Sequence, residues 1–171
     1  MMRELVFSVA TNPAGKGRPR GSAGAPIMDK VTGAPKRNAA GQVMQRVKMV
    51  TPQATRYAEA EIRWVFTAAY PRFTPHTGPV ELDVLATLAI PESWPKWQRA
   101  AAAKGLIPVV TKPDWDNIGK LVSDALEGFA YTGDAHVFDA HVRKVYGDAP
   151  RLLIRMRLFD EPTRADFEAA S

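Results

Sequence analysis

No cysteine occurs among the 171 residues, which excludes disulfide staples, thiolate metal sites and a cysteine nucleophile together. Histidine is scarce, with three in the chain, so an imidazole-rich metal site has little to draw on. Long apolar runs are missing too. The Met-Met-Arg-Glu start has none behind it, and the expectation is neither a secretory signal nor a membrane span, hence a cytoplasmic address. Acids are nearly absent from residues 1–50. There, only Glu4 and Asp29 stand against Arg3, Lys16, Arg18, Arg20, Lys30, Lys36, Arg37, Arg46 and Lys48.

What is present describes an ordinary globular chain. A hydrophobic fraction of 46% with 24% charged residues supplies one real core, and the length is that of one domain with room for an arm or tail. Net charge is +5. A basic stretch rich in glycine and proline suits a phosphate backbone, because counterions released from nucleic acid drive association. A merely solvated arm has the same composition.

Periodicity gives the elements. Glu4–Ala10 alternates Leu5, Phe7 and Val9 against Val6 and Ser8, and predicts a strand that stops at Asn12-Pro13. Gly15, Gly17 and Pro19 make 14–20 a loop carrying Lys16, Arg18 and Arg20. Residues 21–45 read as a mobile hairpin or a disordered excursion. Thr51-Pro52 starts a helix running to about Ala69, with Tyr57, Ala60, Ile62, Trp64 and Val65 partly buried. A strand follows over Val80–Ile90, then a short basic helix over Pro95–Lys104 closed by Gly105.

The helix after Asp116 shows Ile118, Leu121, Val122, Ala125 and Leu126 at helical spacing and ends at Gly128. His136–Tyr146 alternates as a strand, and Leu152–Phe159 is the last one. The mixed order predicts an α/β or α+β fold: one small domain over residues 1–160, a mixed β-sheet and two to three helices. Residues 161–171 form a C-terminal tail.

Without cysteine and with little histidine, chemistry falls to the carboxylates. Asp114 and Asp116 lie two apart just before a helix; in extended backbone such a pair points the same way, so both acids can converge on one point. Lys120 follows one turn beyond Asp116 on the same side. Hard oxygen ligands favour magnesium or manganese over zinc. The plainer reading is that the aspartates cap the helix, that Asp116 and Lys120 form an ordinary surface pair, and that Asn117 satisfies backbone. Trp115 alternates away from the acids and reads as core packing rather than base stacking. His136 and His141 fall on opposite strand faces and do not share a metal, while Asp139 shares a face with His141 and Arg143 as a surface or interface pair. Arg143 and Lys144 are candidate phosphate contacts, and Asp124 serves the fold or a subunit contact.

The block Lys112-Pro-Asp-Trp-Asp-Asn-Ile-Gly-Lys-Leu-Val-Ser-Asp-Ala-Leu-Glu-Gly128, then Tyr131, Asp134-Ala-His-Val137 and Val142-Arg-Lys-Val-Tyr-Gly147, closely resembles the RusA family of Holliday junction resolvases. The likeness extends to Lys16-Gly-Arg-Pro-Arg20, Thr51-Pro52 and Ser93-Trp94, and so covers most of the chain apart from 21–45 and the tail.

The resemblance implies a RusA-like, homodimeric fold and a magnesium-dependent endodeoxyribonuclease, with manganese a possible substitute. Such an enzyme nicks four-way DNA junctions in recombination and repair, in a bacterial or phage setting. It implies that Asp114, Asp116 and Asp134 bind metal, that Lys120 is catalytic, and that Asn117 matches the amide following the second aspartate. DNA contacts are expected at Lys16, Arg18, Arg20, Asn117 and Lys144. Gly133 departs from the adjacent acid pair of many relatives, which puts a second metal position in doubt. Competing readings are a broader nuclease for branched or flap DNA and a junction-binding protein without catalysis. An RNA-directed module lacks a recognisable aromatic platform.

Overall fold

The computed structural model describes residues 2–17 and 20–161, the side chains of residues 20 and 47–50 excepted. Arg18, the side chain of Arg20 and the tail beyond 161 lie outside the described residues. In chain order come β1 (Met2–Val9), β2 (Arg20–Pro26), β3 (Gln45–Val50), α1 (Gln53–Ala69), β4 (Val80–Ala89), α2 (Lys96–Ala103) and α3 (Trp115–Leu126). A single 3-10 turn (Asp134–His136), β5 (Val137–Gly147) and β6 (Arg151–Phe159) complete the order. The described chain forms two units, residues 2–16 with 57–161, and 17 with 20–56.

The larger unit is built on a four-stranded sheet in the order β1-β6-β4-β5. β1 and β4 run antiparallel to β6, and β5 runs parallel to β4. Parallel neighbours require a crossover, and the chain between β4 and β5 carries α2 and α3. Together with α1 this is the mixed-sheet α+β domain with three helices that the periodicities predict.

One sheet face is apolar at every second residue, as a half-buried strand requires. Leu5, Phe7 and Val9, Val80, Leu82, Val84 and Ala86, and Leu152, Ile154, Met156 and Leu158 are all buried. Ile118, Leu121, Val122, Ala125 and Leu126 of α3 join the same core with no exposed surface. Each of the valine, leucine, isoleucine, phenylalanine and methionine side chains among these contributes about 1.5–3 kcal/mol when fully withdrawn from water. On the other face Arg157 donates to Glu81 at 2.5 Å and to Glu4 at 3.4 Å, with Asp83 at 3.7 Å. Strand register alone brings these residues together.

Two details depart from the sequence reading. In α1 the buried apolar residues are Ile62 and Phe66, with Thr55 buried near the start, whereas Tyr57, Ala60 and Trp64 are exposed. The stripe that meets the sheet runs Ala58, Ile62, Phe66 at intervals of four, and positions 57 and 64 lie off it. In β5 the strict alternation from His136 fails. The strand starts at Val137, and a register shift leaves Phe138 unpaired between Val137↔Val80 and Asp139↔Glu81. Such an extra residue switches the face of all that follows, so Val137 and Val142 both pack on the core despite their odd spacing.

In the smaller unit β2 pairs antiparallel with β3. Between them Ile27, Lys36 and Met44 exchange backbone hydrogen bonds of 2.7–2.8 Å, and Asp29 accepts from the amides of Val31 and Thr32. Gly17 donates to the Thr55 hydroxyl at 3.0 Å. Among the described residues no helix is long and apolar enough to cross a membrane.

Candidate active site

The site is built where the segment before α3 turns into the helix. Thr111–Pro113 belongs to neither helix nor strand, and Lys112-Pro113 is a cis peptide. The Lys144 ammonium on β5 donates to the carbonyls of Thr111 at 2.7 Å and Pro113 at 3.0 Å. From the other side, Lys16 donates its backbone amide to the Asn117 carbonyl at 2.9 Å.

Asp114 occupies the N-cap position in extended backbone (φ −68°, ψ 146°), yet its carboxylate makes no capping hydrogen bond. Its side-chain neighbour is the Asn117 amide at 3.5 Å, the outer limit of a hydrogen bond. The acid therefore sits where a cap belongs without acting as one. Trp115 and Asp116 are already helical, so Asp114 and Asp116 are not the extended i,i+2 pair that spacing suggested. Asp116 faces along the helix to Lys120, Nζ to Oδ2 3.2 Å. That hydrogen bond and the lysine charge hold the Asp116 carboxyl below its ordinary range.

Trp115 is 64% exposed, against the core reading. As the first residue of α3 it stands ahead of the stripe that meets the sheet.

Asp134 is exposed and opens the 3-10 turn. β5 packs along α3 in the reverse direction. Lys144 reaches the residues before the helix, Val142 lies against Gly119, and Tyr131, just ahead of β5, donates to Ser123 near the helix end. Glu127 and Asp134 add negative field there, and burial first of all pushes the Tyr131 hydroxyl up to about 12. Asp134 thus belongs to the end of α3 opposite Asp114 and Asp116, and a helix of twelve residues is about 18 Å long. Among the described residues no three acidic or histidine side chains converge as a metal-binding group. The expected meeting of Asp114, Asp116 and Asp134 does not occur within one chain.

The DNA-contact candidates divide. The Lys16 ammonium is paired with Asp124 of α3, and Lys144 is turned onto the Thr111 and Pro113 carbonyls, so neither presents a free tip. Asn117 lies at the site. Arg18 and the Arg20 side chain fall outside the described residues. His141 pairs with Asp139 at 3.2 Å, the surface pair foreseen, while His136 Nε2 lies 2.9 Å from the Thr132 hydroxyl.

A family model described as endodeoxyribonuclease RusA matches residues 12–157. The uncharacterized protein YqaN of Bacillus subtilis (strain 168) is 34% identical over 155 residues, which is 90% of this chain and 95% of that protein.

Proposed function

This chain belongs to the RusA family of endodeoxyribonucleases, and on that premise we propose that it is a magnesium-dependent homodimer that resolves four-way DNA junctions by paired hydrolysis of phosphodiesters. The observation that carries the reading is the Asp114 carboxylate, left uncapped at a helix start beside the Asp116–Lys120 pair.

Two hard carboxylates suit a magnesium ion, and Asp114 and Asp116 would hold it. When bound, the ion would supply Lewis-acid polarisation of the phosphate and acidify water. The negative charge of the two aspartates offsets the positive end of the α3 dipole, which would otherwise repel a cation. Lys120, exposed and one turn along, directs its ammonium to the charge that grows on the phosphate oxygens, where a fixed cation is worth most. Trp115 between the acids offers its ring to a base unstacked at the branch.

The third acid explains the dimer. Asp134 lies a helix length from the pair it should complete, so a second copy related by a two-fold axis supplies it, and a symmetric junction then meets two such sites. Mixing subunits tests this directly. Asp116→Asn and Asp134→Asn homodimers should each fail to cut a labelled junction with magnesium. Exchanged together, they should regain single-strand nicking, because one of the two sites is then wild type. No recovery in verified heterodimers would place all three acids in one subunit, and an Asp134→Asn homodimer that still cuts would discard Asp134. Comparing four-way junctions with flaps and duplex separates a resolvase from a broader branch nuclease.

A further inference from the structure

Lys144 was a candidate phosphate contact, but its geometry points elsewhere. A lysine ammonium has three donors, and two are committed to carbonyls at 2.7 and 3.0 Å, on Thr111 and Pro113. The side chain is half-buried on β5, next to Ala86 of β4 in the sheet register, so its base is fixed by the most regular part of the fold. The segment it grips has no helix or strand of its own and ends at the residue before Asp114. A cation meant for DNA would extend its tip into solvent; this one is folded back over the approach to α3.

We propose that Lys144 is a positioning residue: it ties the Thr111–Pro113 backbone to the sheet and thereby sets the direction in which the Asp114 carboxylate is presented. It acts through Asp114 and does not touch DNA. The inference rests on the reading of Asp114 as a ligand of the divalent ion. Groups that orient a ligand in this way alter metal affinity about 10–100-fold when removed, and small misplacements at a reacting centre cost about 100-fold in rate.

Lys144→Met keeps most of the stem and removes the donors, and Lys144→Arg restores donors. Three readouts separate the possibilities. They are junction affinity without divalent metal as a function of salt, the nicking rate at saturating junction, and terbium luminescence sensitised by Trp115, which follows ion binding without catalysis. For Lys144→Met the expected result is an unchanged salt slope, nicking lowered about 10–100-fold and terbium binding weakened about tenfold, with partial recovery of both in Lys144→Arg. A salt slope reduced by about one with nicking at saturation intact would make Lys144 a phosphate contact and overturn the proposal. Unchanged terbium binding and nicking would overturn it as well. Should Lys144→Met not fold, Lys144→Gln enters the same three measurements. Asp114→Asn is the control for the underlying reading. If it leaves terbium binding intact, the metal assignment falls and the positioning role with it, whereas loss there beside wild-type behaviour of Lys144→Met sinks the lysine alone.

Discussion

A β-carbon placed on Gly15 would stand 3.0 Å from the Cβ of Asn117 and equally close to that of Pro113. The loop before Lys16 therefore lies directly on the start of α3, with the Lys16 amide bonded to the Asn117 carbonyl. Both neighbours are the roots of side chains, which cannot swing aside. Gly15→Ala is expected to cost about 1–3 kcal/mol by overpacking and to lower nicking, since the same shift disturbs Asp114. Urea denaturation alongside a nicking assay checks this; unchanged stability would mean that the loop gives way freely.

Lys120→Met should lower nicking about 100–1000-fold, the cost of losing one fixed charge at a developing anion, while junction binding without divalent metal persists. It should also let the Asp116 carboxyl rise toward its ordinary range, because the Lys120 hydrogen bond is the chief cause of its depression. In the wild type, stability from the pair is present at neutral pH and is lost as pH falls through the depressed Asp116 value. Carboxyl NMR titration of Asp116 in both proteins measures the shift. Identical titration curves would show that the pair at 3.2 Å carries no electrostatic weight.

Much of this molecule was legible from period alone. The apolar face of β4 and β6 and the five buried residues of α3 follow from alternation and helical spacing, since packing obeys those periods. The motif around Asp114 marked a candidate site, which the fold places at the start of α3. What period does not encode is contact between distant segments. The bulge at Phe138 reverses face parity in β5, and Lys144 meets Thr111 only because β5 runs back along α3. Alternation away from the two acids points Trp115 to the core, yet the helix begins at that residue and among the described residues its ring is left largely uncovered. The separation of Asp134 from Asp114 required the direction of β5 against the helix, which local spacing does not contain.

Tyr131 provides a test of packing at the far end of α3. Its hydroxyl is buried, donates to the Ser123 carbonyl and lies 3.1 Å from the Ser123 hydroxyl, and burial raises it from 10.0 to about 12. A phenol harder to ionise when folded contributes stability that is whole below its unfolded value and fades as pH rises through the folded one. Stability should therefore decline between pH 10.0 and about 12, by roughly 2–3 kcal/mol at 1.36 kcal/mol per unit. Tyr131→Phe should flatten that decline while lowering stability near neutrality through the lost hydrogen bonds. Denaturant midpoints across the alkaline range decide it; an equally steep decline in Tyr131→Phe assigns the alkaline limb to another group.

Trp115 bears on how the enzyme distinguishes a branch from a duplex. An indole 64% exposed between two acids gains little from the fold, so Trp115→Ala should leave thermal stability nearly unchanged. Its ring can stack only on a base that has left its own stack, and stacking of that kind is worth about 1–3 kcal/mol per base. Bases at the centre of a four-way junction are available in this way, and those inside a duplex are not. Binding of Trp115→Ala, measured without divalent metal, should therefore weaken for the junction by that amount and remain unchanged for duplex, with Trp115→Phe intermediate. Equal losses on both substrates would make the ring a general contact. A loss that vanishes at high protein concentration, with sedimentation showing dissociated subunits, would instead place Trp115 under the second copy of the chain and remove it from branch recognition.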